Sequence, residues 1–200
     1  MRPAALRLVV AALAAAPLVS ACAFGDRHVR LEYPPSGTES VEAVPASARI
    51  GARRLHLALF TDQRAERMRI GEVRNGWGMH TADVVASNDV CEWVRKGVRT
   101  ELERAGFEVV EDCPAAGGVE LRGEVLRVHC DALFSYEAEV QLSAELTRDG
   151  VVLARYPAGG KGSAGTNWGA TEAGYGESLA RALQVAARDL AASLRTMPQP

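Results

Sequence analysis

Tyr136-Glu-Ala-Glu-Val-Gln-Leu-Ser-Ala-Glu-Leu146 alternates without a break: Tyr136, Ala138, Val140, Leu142, Ala144 and Leu146 are apolar or small, and every residue between them is polar. Successive side chains of a strand point to opposite faces, so the pattern predicts a strand with one face on a core and the other in water. Asp149-Gly150 then predicts a tight hairpin turn into a strand from Val151 to Tyr156. Upstream, Val119 to His129 reads as the preceding strand, and its alternation changes phase near Val125-Leu126, the mark of a bulge.

Two helical stripes supply the layer that covers this sheet. Asp89 and Glu92 have capping-box spacing, and Val90, Cys91, Val94, Val98, Leu102 and Ala105 fall within an arc of about 120°. Gly106 is the expected left-handed stop. Glu101 lies inside the apolar arc, with no partner visible in the sequence beyond solvent at its rim. A glycine-rich stretch around Gly160-x-Gly162-x-x-Gly165 reads as a connection, after which Leu179, Leu183, Ala186, Leu190 and Leu194 mark the second helix. Earlier, Leu55 to Phe60 is the first core strand, and Ile70 to Val73 and Met79 to Val85 flank Asn75-Gly76, a dipeptide favoured by type I′ hairpins. Phe107 to Glu111 is a short strand. The order predicts an α+β fold, a largely antiparallel sheet with two amphipathic helices packed on one face.

A chain of 200 residues suits one domain, and 48% apolar with 24% charged residues excludes both a disordered tail and a membrane-embedded bundle. A net charge of −2 and only 6% aromatic residues leave neither a basic surface nor stacking platforms for nucleic acid.

The N-terminus reads as an address. Arg2 and Arg7 form a basic n-region, the apolar run Leu8 to Val19 is too short to span a bilayer, and Val19-Ser20-Ala21-Cys22 resembles the bacterial lipobox. That resemblance implies a signal peptide over residues 1–21 and acylation of Cys22, with Ala23 in the following position implying the outer membrane, periplasmic face. Each buried methylene contributes about 0.8 kcal/mol, so two or three palmitate-like chains anchor stably where one would be marginal. Losing Arg2 and Arg7 shifts the balance from −2 to −4, so lipid rather than charge holds the mature chain to its membrane. Residues 22–49, with Pro34-Pro35 and Pro45, read as a lipidated tether; within it Val29-Arg-Leu-Glu-Tyr33 alternates like a strand and is either spacer or edge strand. The α+β domain spans 50–195.

Three cysteines remain in an oxidising compartment. From Cys91 to Ala105 a helix covers about 21 Å, and the return from Phe107 to Cys113 covers about 20 Å. Both cysteines therefore reach the same end, predicting a Cys91–Cys113 disulfide with Cys130 as a free thiol. No metal site is expected: His28, His56, His80 and His129 are scattered, and His129 and Cys130, though adjacent, point to opposite faces. Gly160-x-Gly162-x-x-Gly165 lacks the acidic partner of a dinucleotide site, and Gly160-Lys161-Gly162 lacks the hydroxyl of a P-loop. No catalytic set and no cofactor site is expected, and the chain reads as a non-enzyme. Asp62 and Arg64, after the first strand, either stabilise a turn or contact a partner; Trp77, beside two glycines at the hairpin tip, is either a lid on the core or an exposed anchor for a partner or lipid.

The lipobox at Cys22, the Asp62-Gln63-Arg64 turn, Leu102-Glu-Arg-Ala-Gly-Phe-Glu-Val109, Val119-Glu-Leu-Arg, the Tyr136 strand and the closing Ala180 to Leu194 helix occur in an order and spacing that resemble the YajG-like family of bacterial outer-membrane lipoproteins. The long Arg67 to Trp77 region and the added cysteines depart from that pattern. The resemblance implies a lipid-anchored periplasmic domain without defined chemistry. Two functions follow as expectations: a non-catalytic accessory or interaction module that binds an envelope protein, or a binder of a small amphiphile, lipid or glycan held between helices and sheet.

Overall fold

The computed structural model describes residues 25–35, 54–110, 117–167 and 169–196. The expectations for the signal peptide, Cys22 and Cys113 lie outside them. Among the described residues, one eight-stranded sheet carries two helices. Its strands are β1 (Arg27–Val29), β2 (Arg54–Asp62), β3 (Arg69–Arg74), β4 (His80–Ala86), β5 (Glu108–Val110), β6 (Val119–Ala132), β7 (Ser135–Arg148) and β8 (Val151–Thr166); the helices are α1 (Val90–Arg104) and α2 (Glu172–Arg195).

The sheet is α+β in class but mixed, not largely antiparallel. The pairs β6·β7, β7·β8 and β3·β4 run antiparallel, whereas β1·β4, β2·β5, β2·β6 and β3·β6 run parallel. The cause is the length of β6. One of its edges takes β7 over its full length, and the other takes β2 and β3 in succession, both running in its own direction. The sheet therefore forks, one branch continuing to β5 and the other through β4 to β1. Alternation reports which face of a strand is wet and says nothing about the direction of its neighbour.

On β7 the predicted inward set from Tyr136 to Leu146 is buried. The expected bulge in β6 is present between Val125 and Arg127, at the level where β2 gives way to β3. Asp149 and Gly150 both adopt positive φ, as a type I′ turn needs. The β3–β4 connection is different: it spans residues 75–79, and Gly78 rather than Asn75 or Gly76 carries the positive φ. Asn75 Oδ1 accepts from the backbone N–H of Trp77 and of Met79, both at 3.0 Å, so the asparagine organises a longer loop.

α1 begins and ends as its sequence predicts. Asp89 accepts from Glu92 N at 2.8 Å, and at the other end Gly106 N donates to Glu103 O and Phe107 N to Leu102 O, each at 3.0 Å. These two bonds, with Gly106 at φ 91, are a Schellman stop.

The glycine-rich stretch is not a connection. β8 runs straight through it to Thr166, because α2 lies directly on its backbone. A Cβ on Gly160 would sit 2.6 Å from Ala186 N, and one on Gly162 would sit 2.5 Å from Ala182 N. Glycine here removes side chains so that helix and strand can touch. Glycine's low strand propensity argued for a loop; close approach of another backbone is the competing reason for strand glycines, and it prevails.

Of the expected edge strand, Val29 to Tyr33, only Val29 joins the sheet, as the last residue of β1. Val29, Leu31 and Tyr33, the apolar half of its alternation, are all buried. Past Val29 the chain leaves the sheet as a strap over the helices, held where Asn88 brackets Leu31 through its backbone N–H (2.8 Å) and C=O (3.1 Å).

Candidate functional site

Asp62 and Arg64 sit at the junction between β2 and β3. Arg64 is 6% exposed, and its guanidinium donates to Asp62 Oδ1 (2.9 Å) and Oδ2 (2.8 Å), to Arg67 O (2.6 Å) and to Arg69 O (3.2 Å). Its backbone N–H also donates to Asp62 Oδ1, at 3.1 Å. Burial alone would raise the Asp62 carboxyl, but these hydrogen bonds and the adjacent charge outweigh it and hold the group below the ordinary aspartate range. The pair clamps the end of one strand to the start of the next, which keeps β2 and β3 in line along β6. Its chemistry is turned inward.

Glu101, the carboxylate without a visible partner in the sequence, is 3% exposed and fully engaged. Tyr33 OH donates to Oε1 at 2.5 Å, Arg104 donates to the same oxygen, and Arg188 Nε donates to Oε2 at 3.1 Å. Burial first, then the hydrogen bond to Glu101, raises the Tyr33 phenol far above its usual value. One carboxylate thus joins the strap, α1 and α2. Grooves flank the strap, one of about 720 Å³ against α1 with Arg30, Arg95 and Lys96 in its wall, and one of about 760 Å³ against α2 with Glu172, Glu177 and Arg181.

Trp77 is 88% exposed, so it is not a lid on the core. It projects from the β3–β4 loop, whose neighbour is fixed by register: Val73 pairs with Ala132, which places the β6–β7 turn beside it. That turn carries Phe134, 72% exposed, and the loop also carries Met79, 59% exposed. Asn167 braces the turn, donating from Nδ2 to Ala132 O at 2.9 Å and from its backbone N–H to Phe134 O at 2.8 Å. Phe134 escaped the sequence reading because it follows a strand rather than patterning one; its signal was an apolar pair, Leu133-Phe134, where a turn should be polar.

Both described cysteines, Cys91 and Cys130, hold thiols harder to ionise than a free one. Cys130 is buried, and desolvation pushes its thiol up to about 12. Cys91 is half-buried, and desolvation followed by the nearby Asp62 pushes it up to about 11. Among the described residues no group of three or more His, Cys, Asp or Glu side chains could hold a metal ion. No described helix is long and apolar enough to cross a membrane.

No family model matches the chain, and no curated protein does. Solved structures do. Protein XCC0632 from Xanthomonas campestris, of the family DUF330, matches with a TM-score of 0.54 at 16% identity, covering 84% of this chain and 93% of that one. An uncharacterised protein matches with a TM-score of 0.51 at 11% identity over 72% of this chain and 99% of its own. A candidate lipoprotein from Caulobacter crescentus shares 19% identity over 52% of this chain and 81% of its own, with a TM-score of 0.39. What the chain shares with the first two is its fold.

Proposed function

We propose that this chain is a lipoprotein of the YajG-like kind, held by acyl chains on Cys22 at the periplasmic face of the outer membrane, and that it serves an envelope protein as a non-catalytic accessory module. One observation carries the reading: β1 begins at Arg27, five residues after the lipobox cysteine in sequence. Five residues span at most about 18 Å. A lipid on Cys22 would therefore hold the folded domain against the membrane rather than on a long leash. The polar groups with the most arresting geometry, Asp62 with Arg64 and Glu101 with its three donors, hold elements together, which supports a module that binds rather than reacts.

β8 offers the partner an edge. Among the described residues it pairs with β7 alone over Val151 to Thr166, and an open edge accepts an added strand. The amphiphile reading would need room between helices and sheet, where Leu179, Leu183 and Leu190 are fully buried and α2 touches the β8 backbone. In cells, Cys22→Ser should move the protein from the membrane to the soluble fraction, and palmitate labelling should mark the wild type alone. Photo-crosslinkers along β8 should capture one stoichiometric envelope protein; co-purifying lipid without any protein adduct would overturn the accessory role.

A further inference from the structure

We infer that the end of the sheet carrying Trp77, Met79 and Phe134 docks on a phospholipid surface, so that the domain is oriented by its own apolar tip as well as tethered. The inference rests on lipidation of Cys22 and adds a second contact to it.

Chain direction carries the argument. β3 runs toward the tip and β4 runs away from it, from His80 to Ala86. β1 is parallel to β4, with Arg27 beside Val84 and Val29 beside Ala86, so it too runs away from the tip. The chain before β1 therefore leads back toward the tip, and Asp26 confirms the course: its Oδ1 accepts from Asp83 N at 3.2 Å. Cys22 lies four residues before Asp26, a reach of at most about 15 Å. The opposite end, with the Asp149-Gly150 turn, lies the length of β7 away: 14 residues, or about 45 Å. The attachment point for any acyl chain on Cys22 is thus within reach of the tip and out of reach of the opposite end.

The chemistry of the tip suits that neighbour. Among the described residues, Trp77 and Phe134 are the two aromatic members of the exposed large apolar side chains, and they stand on adjacent loops. Elsewhere Leu59, Met68, Leu126 and Val185 are single exposures, and the one run, Val151 to Leu153, is purely aliphatic and starts at the far end, beside the Asp149-Gly150 turn. Tryptophan concentrates at the membrane–water boundary because its ring is apolar and its N–H is wet. The loops are also braced, by Asn75 in one case and Asn167 in the other, so little ordering is needed on contact. A protein partner at the same tip is the competing occupant. Proximity to the lipidated residue favours the bilayer, because a second protein there would have to fit between domain and membrane.

The test uses the full mature protein, lipidated at Cys22, reconstituted in vesicles of phosphatidylethanolamine and phosphatidylglycerol with or without bromine near the top of the acyl chains. The emission of Trp77 is taken as the difference between wild type and Trp77→Phe. The expected result is blue-shifted Trp77 emission quenched at least twofold by brominated lipid. The double variant Trp77→Phe/Phe134→Ser, altered only at exposed positions, should retain the fold while its vesicle-bound form becomes more accessible to protease at the β3–β4 loop. Protein that floats with the vesicles but shows solvent-like, unquenched Trp77 overturns this inference and leaves the lipidation reading intact. Protein that does not float overturns both. A photo-crosslinker at position 77 that yields an envelope-protein adduct in place of lipid adducts also overturns it.

Discussion

Replacing Gly162 with alanine tests how the helix layer is seated. The added Cβ would lie 2.5 Å from Ala182 N and closer still to Ser178 O, both backbone atoms of α2. Ordinary contact requires roughly 3.4 Å, so the helix must retreat by about 1 Å, and no flexible side chain can absorb the overlap. Overpacking costs about 1–3 kcal/mol, and a backbone obstacle places this site at the upper end. A retreat also stretches the bond that Ser178 Oγ makes to Gly162 O at 2.9 Å, worth about 1 kcal/mol. Against this, alanine recovers about 0.5–1 kcal/mol of unfolded-state entropy. The net expectation is a loss of about 3 kcal/mol, or a fall in Tm of roughly 6–12 °C for a domain of this size. Gly159→Ala is the matched control, since its Cβ would meet only Val140 O at 3.8 Å; it should be neutral or stabilising by up to about 1 kcal/mol. Thermal and urea unfolding of the two variants, read by circular dichroism, gives the comparison. Equal midpoints would refute the claim that glycines are present here to let α2 touch β8.

Glu101→Leu should cost about 3 kcal/mol because it strands the Tyr33 hydroxyl and Arg104, and a double-mutant cycle with Tyr33→Phe should show coupling of about 1 kcal/mol; additive effects would mean the strap is not tied through Glu101. Asp62 has a folded-state pKa depressed below its ordinary 3.8, so its contribution is present above that value and is lost as pH falls through the lower, folded one. Urea unfolding between pH 5 and pH 2 should accordingly show a steeper acid loss in wild type than in Asp62→Asn, and parallel curves would contradict the clamp. Cys130, buried with its thiol pushed up to about 12, should resist iodoacetamide in the native protein and react on unfolding. In protein isolated from the periplasmic side, a non-reducing peptide map should join Cys91 to Cys113; alkylation of both in the native state would exclude that bridge.

Local features of the fold were legible because they depend on neighbours in sequence. The alternation from Tyr136 to Leu146, the bulge after Val125, the Asp89 cap and the Gly106 stop each require only a few consecutive residues, and each is present. Two readings needed more than that, and a third was overturned locally. Strand direction in a forked sheet depends on where β2 and β3 lie along β6, which no periodicity encodes. The glycines of β8 looked like a loop because their reason is a helix twenty residues downstream. Asn75-Gly76 matched a tight turn, yet the Asn75 side chain bonds to Trp77 and Met79 and opens a wider one.

The candidate surface divides the same way. The sequence alone singled out Cys22, Asp62, Arg64 and Trp77, and it marked Glu101 as a charge in an apolar stripe. Those are properties of residue type and spacing. Only the tertiary structure turned Asp62 and Arg64 inward as a clamp, brought Glu101 the donors Tyr33 and Arg188 from distant segments to join its helix neighbour Arg104, set Phe134 beside Trp77 and aimed the start of β1 at their end of the sheet. Contacts between segments far apart in the chain depend on how the elements are packed, and packing depends on shape summed over the whole core rather than on any local pattern.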